Sequence, residues 1–297
     1  MIFPITFAIP ESKIVEDIPL KKKILSELIP GDLNTYIYNN EEEYYRQYQE
    51  SFFAITKKKA GWDCMRHYEI IANGCLPYFI DIENCPENTM ALLPKDLFVQ
   101  ANQLYLSKFI DKPMEGLSLD VIEEYNLLVH KFLDYLRSNL TTTKIAKYIL
   151  NKTNHENVTK ILYLSGNTLP DYLRCLLLQG FKELLGDKCH DFPIIPHLYN
   201  SFDSNNNDIY GKGFTYSRLL APELHQNDLD ANIEQDISNK YYDIVIYGSY
   251  HRGMPYYDLV RKYYQTSEII LLCGEDIHYC DNHYYLSCGH PMFIREL

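Results

Sequence analysis

The sequence holds one tryptophan, no Cys-x-x-Cys pair and no apolar run of about 18 residues. Each absence removes a class of protein. The eight cysteines, at 64, 75, 85, 175, 189, 273, 280 and 288, are too scattered for a zinc ribbon or a disulfide framework. They read as reduced thiols of a cytoplasmic chain. Without a long apolar run, no membrane span is expected. The start, "MIFPITFAIP", lacks a basic leading segment and contains Pro4, so it reads as a strand entering a fold rather than a signal peptide. Basic charge is also scarce. Residues 1–150 hold 16 Lys and Arg against 21 Asp and Glu, and residues 151–297 hold 12 against 19, for a net charge of −12. Nucleic-acid binding rests on phosphate contacts, so nucleic acid is disfavoured as a partner. Neither Gly-x-Gly-x-x-Gly nor a Walker sequence occurs, which sets aside dinucleotide oxidoreductases and P-loop enzymes.

What is present is a globular composition. The 297 residues are 46% hydrophobic and include 27 tyrosines, enough for two domains or one large one. Strands are expected at 5–9, 34–38, 51–56 and 75–80, with a helix over 41–50 and another over 63–73. Asp63 suits the N-cap of that second helix, and Asn73-Gly74 its stop. Residues 51–80 thus read as strand, turn, helix, strand, a parallel βαβ unit. Apolar residues at helical spacing run from 118 to about 150, with a break at Thr141–Thr143. The polar stretch 151–160 marks a domain boundary. A second α/β pattern follows, with strands at 160–166, 242–249 and 268–276, helices at 171–186 and 256–264, and a last short strand in "MFIREL". Residues 200–240 are Asn/Asp-rich and read as a long surface excursion. The expected architecture is two Rossmann-like α/β lobes, residues 1–150 and 151–297, joined by a helical crossover and facing a cleft.

The most informative stretch is "KKKAGWDCMRHYEIIANGCLPYFID", residues 57–81. Lys57, Lys58, Lys59 and Gly61 lie between a strand's C-terminal end and a helix N-terminus, with Trp62 and Asp63 at the junction. In open α/β sheets ligands bind at that edge. A cation cluster and a helix N-terminus suit a diphosphate. Arg66 sits one turn in, and Glu69 follows on the same face. A carboxylate there accepts the two hydroxyls of a ribose. Diphosphate plus ribose describes a nucleotide, and a nucleotide-sugar is a natural candidate. The same spacing also occurs in plain surface pairs, with Trp62 in the core.

Residues 51–95 resemble the donor-binding segment of exostosin-type glycosyltransferases, which have the GT-B fold. The matching residues are Arg66-His67-Tyr68-Glu69 and then Gly74-Cys75-Leu76-Pro77. The resemblance implies that Arg66 holds the diphosphate and Glu69 the ribose. It implies transfer of a sugar from a nucleotide-sugar donor to a glycan or lipid-linked acceptor, with inversion, without a metal and with no cofactor beyond the donor itself. This sequence has Ile70 where the family has Ala, a difference of packing. The donor lobe of the family is normally the second one, whereas here its motif lies in the first third. Either the lobes are permuted, or the chain is part of a longer protein, or the second lobe is not an acceptor lobe. A permutation requires the two chain ends to meet.

In the second half, Gly248, Ser249, His251 and Arg252 crowd the end of one strand, and Glu275 and Asp276 end the next. Gly248, Ser249 and Arg252 read as acceptor-side or phosphate contacts. Asp276, Glu275 and His251 are the candidates for the base that takes the acceptor proton; the plain alternative is a turn with Asp276 as a cap. No metal is expected: His278, Cys280, His283, Cys288 and His290 fit no standard finger spacing, and Asp228-Leu-Asp230 is an Asp-x-Asp that 20 aspartates produce by chance. The leading expectation is a metal-independent glycosyltransferase. The alternative is a non-catalytic nucleotide-sugar or glycan-binding protein, or a module of a larger glycosyltransferase.

Overall fold

The computed structural model describes residues 1–203, 209–276 and 283–297. His278 and Cys280 of the weighed metal cluster lie outside these residues. Among the described residues the strands are β1 (Ile2–Pro4), β2 (Lys23–Leu25), β3 (Ser51–Lys57), β4 (Leu76–Ile80), β5 (Ile161–Leu164), β6 (Cys189–Phe192), β7 (Ile244–Tyr247), β8 (Ile269–Cys273) and β9 (Met292–Ile294). The α-helices are α1 (Glu41–Gln49), α2 (Met65–Ala72), α3 (Lys95–Leu104), α4 (Leu119–Tyr135), α5 (Thr142–Lys152), α6 (Tyr172–Leu185), α7 (Asn227–Asp230), α8 (Ile233–Ser238), α9 (Tyr257–Tyr263) and α10 (His283–Ser287).

Two parallel sheets result. One has three strands in the order β2-β3-β4, the other six in the order β1-β9-β8-β7-β5-β6. The α/β expectation holds at that level. The six-stranded sheet is doubly wound: from β5 the chain adds β6 on one side, then β7, β8 and β9 on the other. Its strands read as near-continuous apolar runs, such as Ile244-Val245-Ile246-Tyr247 and Ile269-Ile270-Leu271-Leu272, and are fully buried, as sheets covered on both faces must be. The reversal between β5 and β7 is the topological switch point, where such sheets open a crevice at their carboxyl ends.

The chain ends meet. β1 runs parallel to β9 with Phe3 opposite Phe293, and the two rings stack at 5.0 Å. The first residues therefore belong to the sheet of the second half, which the division at residue 150 does not anticipate. The long helical crossover also divides. α4 continues into a π-helical turn, Leu136–Leu140, and Thr141 then opens α5 with an extended backbone. α4 packs on α2 and α3, whereas α5 packs on α6. The approach is so close that a Cβ on Gly180 of α6 would lie 2.2 Å from the Thr142 carbonyl oxygen.

Three local expectations differ. Regular pairing at the start covers residues 2–4; residues 5–9 are buried, and Ile9 makes a single parallel bridge to Thr141. Residues 34–38 are not a strand, because the Asp32 side chain accepts from the Asn34 amide and folds Leu33–Thr35 into a 3-10 turn. Lys23–Leu25 takes the edge position instead. The cysteines are not uniformly reduced: Cys64, Cys75, Cys85, Cys175, Cys189 and Cys288 are free thiols, but Cys273 is disulfide-bonded. No helix among the described residues is long and apolar enough to cross a membrane.

The 200–240 excursion is anchored by a buried charge network at the β6 edge. Lys182 and Asp191, both essentially unexposed, pair at 2.7 Å. Asp191 also contacts His225 at 3.1 Å and accepts from the Tyr199 hydroxyl. His225 bridges on to Asp230, which meets His190. Burial works against the Asp191 charge, but the His225 hydrogen bond and the Lys182 ammonium override it and hold the carboxyl down at about 2. Its contribution to stability is present above the ordinary aspartate range and is lost as pH falls towards that value. Asp191→Asn leaves a buried lysine uncompensated and should cost roughly 3–5 kcal/mol at pH 7. Urea unfolding against pH checks this: the gap to wild type should narrow below about pH 4, and a pH-independent or negligible gap would refute it.

Candidate functional site

The two sheets present their carboxyl ends to one cleft of about 870 Å³. From the three-stranded side come Lys59, Gly61, Asp63, Arg66 and Glu69, with Tyr36, Tyr38 and Tyr44. From the six-stranded side come Asp171 and Tyr172 after β5, Arg252 after β7, and Glu275 and Asp276 after β8. The excursion adds Gly211, Lys212 and Phe214, and Phe7 also lines the space.

α2 is buried over its whole length, charges included. Arg66 is 9% exposed. Its Nη1 donates to the Thr56 hydroxyl at 3.2 Å, and Thr56 meets Nδ1 of His67 at 2.9 Å. Among the described residues, no carboxylate lies within ion-pair distance of Arg66. Two donors fix Glu69 instead: its Oε2 accepts from Tyr44 at 2.7 Å and its Oε1 from Thr215 at 2.6 Å. Burial pushes the Glu69 carboxyl up, and the Thr215 and Tyr44 hydroxyls and the Arg66 charge oppose that. Arg66 and Glu69 thus lie together on one buried helix face at the cleft.

The rest of the basic stretch divides. Lys59 lines the cleft, but Lys57, Lys58 and Trp62 do not. Trp62 lies beside Phe79, its carbonyl meets Nε2 of His67 at 2.8 Å, and the Lys58 ammonium sits 5.2 Å above its ring. These are packing contacts. Gly61 is where chain segments close up: a Cβ there would lie 2.5 Å from Oε1 of Glu296. Asp63 does not cap α2, since Cys64 holds that position without a side-chain cap. The Asp63 carboxylate turns the other way, accepting from the Phe7 amide at 2.7 Å and the Tyr68 hydroxyl at 3.0 Å. Burial is the main reason its carboxyl is raised to about 6.

No family model, no curated protein and no solved structure matches this chain.

On the opposite wall the loops after β5 and β7 touch. Gly166 and Gly253 approach so closely that a Cβ on Gly166 would lie 2.2 Å from the Arg252 carbonyl oxygen, and Gly253 takes a positive φ of 114° that favours glycine. The contact places Arg252 over Asp171, with Nε to Oδ2 at 3.3 Å. Asp171 also caps α6, accepting from the Arg174 amide, and Ser249 donates to its other side. Burial would raise the Asp171 carboxyl, but the Arg174 and Arg252 charges hold it below its usual value. Gly248 and Ser249 lie under this wall rather than in the cleft; a Cβ on Gly248 would meet the Tyr163 ring at 2.4 Å. His251 is behind Glu275, Nε2 to Oε1 at 2.7 Å, and burial lowers the affinity of the imidazole for a proton. Glu275 therefore faces the cleft with His251 at its back and Arg252 at 3.5 Å.

The residues that sequence reasoning missed are Arg295, Thr215 and the tyrosines. Arg295 is fully buried, over the Phe7 ring at 4.4 Å. It pairs with Asp276 and with Glu296, and donates to the carbonyls of Asp63 and Gly274. Asp276 is thereby engaged. Thr215 and Phe214 come from the excursion expected to lie on the surface, and Phe214 stacks on Tyr44 at 5.4 Å. The Asp228-x-Asp230 pair serves the distant anchor through Asp230. Among the described residues no group of His, Cys, Asp and Glu could hold a metal.

Replacing Arg295 by methionine leaves the buried Glu296 carboxylate without its cationic partner and the Asp63 carbonyl without its side-chain donor. It should destabilise the fold by roughly 3–5 kcal/mol in denaturant unfolding. A loss below about 1 kcal/mol, the range of exposed ion pairs, would contradict the joining role of this residue.

Proposed function

We propose that the cleft is the donor site of a GT-B-like glycosyltransferase. The enzyme would move a sugar from a nucleotide-diphosphate-sugar to a glycan or lipid-linked acceptor, without a metal and with inversion. The observation that carries the reading is Arg66. A buried guanidinium is costly unless it is paired, and this one faces a cleft with hydroxyl neighbours and no carboxylate within ion-pair distance among the described residues. Its planar fork matches a diphosphate in two parallel hydrogen bonds. Glu69 beside it can accept the hydroxyls of the attached ribose, and the tyrosines with Phe214 offer faces for stacking. The resemblance of residues 51–95 to exostosin-type donor segments supports the same assignment.

In this reading the sugar lies between the walls. Glu275 accepts the proton of the acceptor hydroxyl as that oxygen attacks the anomeric carbon and the nucleoside diphosphate leaves, and His251 behind it holds the carboxylate in place. Arg252 and Lys59 stabilise the charge that develops on the leaving diphosphate. The meeting of β1 with β9 is what a permuted order of the lobes requires. Of the two carboxylates that follow β8, Asp276 is engaged by Arg295, which favours Glu275. It also gives the second reading, a non-catalytic binding protein on the same cleft, a clear discriminator.

Thermal unfolding with a panel of nucleotides and nucleotide-sugars, on wild type and Arg66→Ala, tests the donor site. A ligand at a hundred times its Kd should stabilise the wild type by about 2.7 kcal/mol, and Arg66→Ala should lose that gain. No stabilisation of folded wild type by any of them refutes the reading. Glu275→Gln separates the two versions: an enzyme loses sugar transfer by at least about 100-fold while still binding the donor, whereas a binding protein shows no transfer to lose.

A further inference from the structure

Thr215 sits far from Glu69 in sequence and is the tip of the segment 209–218. That segment is built on left-handed turns: Gly211, Lys212, Gly213, Thr215 and Arg218 all have positive φ. For a β-branched residue the +73° of Thr215 is strained, so the surroundings must hold it. They do so at several points. The Thr215 amide donates to Oε1 of Glu41 at 2.6 Å. The Lys212 ammonium donates to the Tyr38 carbonyl and to Oδ1 of Asn39.

Proton counting gives these contacts a direction. A hydroxyl has one proton to donate. Thr215 gives its proton to Oε1 of Glu69, so the Tyr45 hydroxyl, 2.6 Å from Thr215 Oγ1, must donate to Thr215. Tyr44 gives its proton to Oε2, so Tyr48, 3.0 Å away, must donate to Tyr44. Two hydroxyl relays, Tyr45 to Thr215 and Tyr48 to Tyr44, converge on one carboxylate. With Glu69 ionised, and so able only to accept, both relays run toward it.

We infer that Thr215 is a positioning residue for Glu69: the segment 209–218 reaches across from the second half of the chain to fix the rotamer and the ionised form in which Glu69 meets a ligand hydroxyl. Each carboxylate oxygen has room for a second donor, so the relays orient Glu69 without using it up. The inference rests on the donor-site reading for its ligand, but the effect of Thr215 on Glu69 stands without one. Besides Thr215, the groups facing Glu69 are Arg66 on its own helix, Glu41, Tyr44, Tyr45 and Tyr48 on α1, and Tyr36 and Tyr172. Arg66 is the cation among them, and it is common to every variant below.

The test is the pH titration of the Glu69 side-chain carboxyl carbon by NMR, assigned by its absence in Glu69→Gln. Thr215→Val keeps the shape and removes the hydroxyl, so the titration midpoint should move to higher pH. Thr215→Ser should return it toward wild type, as a purely steric role would not require. Tyr45→Phe removes the outer donor alone and should produce a smaller shift in the same direction, which keeps the test intact should Thr215→Val fold poorly. With UDP as probe, Thr215→Val should weaken binding roughly tenfold at neutral pH, and the acid limb of the affinity profile should move up with the carboxyl midpoint. A folded Thr215→Val with an unchanged Glu69 midpoint overturns the inference. If UDP fails to bind wild type while the midpoint moves, the positioning role stands and UDP is excluded as the ligand.

Discussion

The fold depends on one buried guanidinium. Arg295, next to the last residues of the chain, lies at the junction of the two sheets. It reaches the Asp63 carbonyl just before α2, the Gly274 carbonyl and Asp276 beyond β8, and the ring of Phe7. Each contact is with a segment that ends in the cleft. Charge-assisted bonds of this kind are short and directional, so they set the relative position of the two walls rather than merely adding stability. Glu296 works beside it, taking the Asp63 amide as well as Arg295. The close approach of Gly61 to Glu296 follows from the same crowding.

Polar burial has a consistent logic. The α2 helix is placed so deeply that Arg66, His67 and Glu69 all leave water. His67 is satisfied on both nitrogens, and burial lowers it to about 3, so it is neutral and structural. Glu69 is satisfied by two hydroxyl relays. Arg66 is the member of the set left without a matching charge within ion-pair distance among the described residues. Burying a charge in that way is unfavourable for folding alone, which is why it directs attention to a ligand. The far anchor, Lys182 with Asp191 and His225, shows the opposite case, where the chain supplies its own partners and no opening to the cleft exists.

Much of this was legible in the sequence where periodicity is strong. The helix formers of 41–50 and the amphipathic run at 171–186 became α1 and α6, and the apolar stretches read at 51–56, 160–166, 242–249 and 268–276 hold β3, β5, β7 and β8. The break at Thr141 was visible because β-branched residues interrupt the helical pattern. Short elements were not legible. Lys23-Ile24-Leu25 is too brief to show an alternation, and β6, Cys-His-Asp-Phe, carries polar residues whose burial is explained only by Lys182 and His225 across space. Of the site, Arg66 and Glu69 could be proposed because both lie within one helical turn of a recognisable loop. Thr215 could not: Gly211-Lys212-Gly213 signals a turn, and nothing local says that the turn lands on a glutamate 146 residues earlier. Arg295 sat in a segment read as a terminal strand, and its partners lie at both ends of the chain.

The central claim is that Arg66 and Glu69 form a nucleotide-diphosphate site completed by the other half of the chain. A crystal structure of the protein grown with a nucleotide-diphosphate-sugar is its most direct test. The account predicts diphosphate oxygens about 3 Å from the Arg66 guanidinium, a ribose hydroxyl on Glu69, and Thr215 still on the same carboxylate. A diphosphate bound elsewhere on the chain, or ribose and diphosphate in the cleft without contact to Arg66 and Glu69, would contradict it.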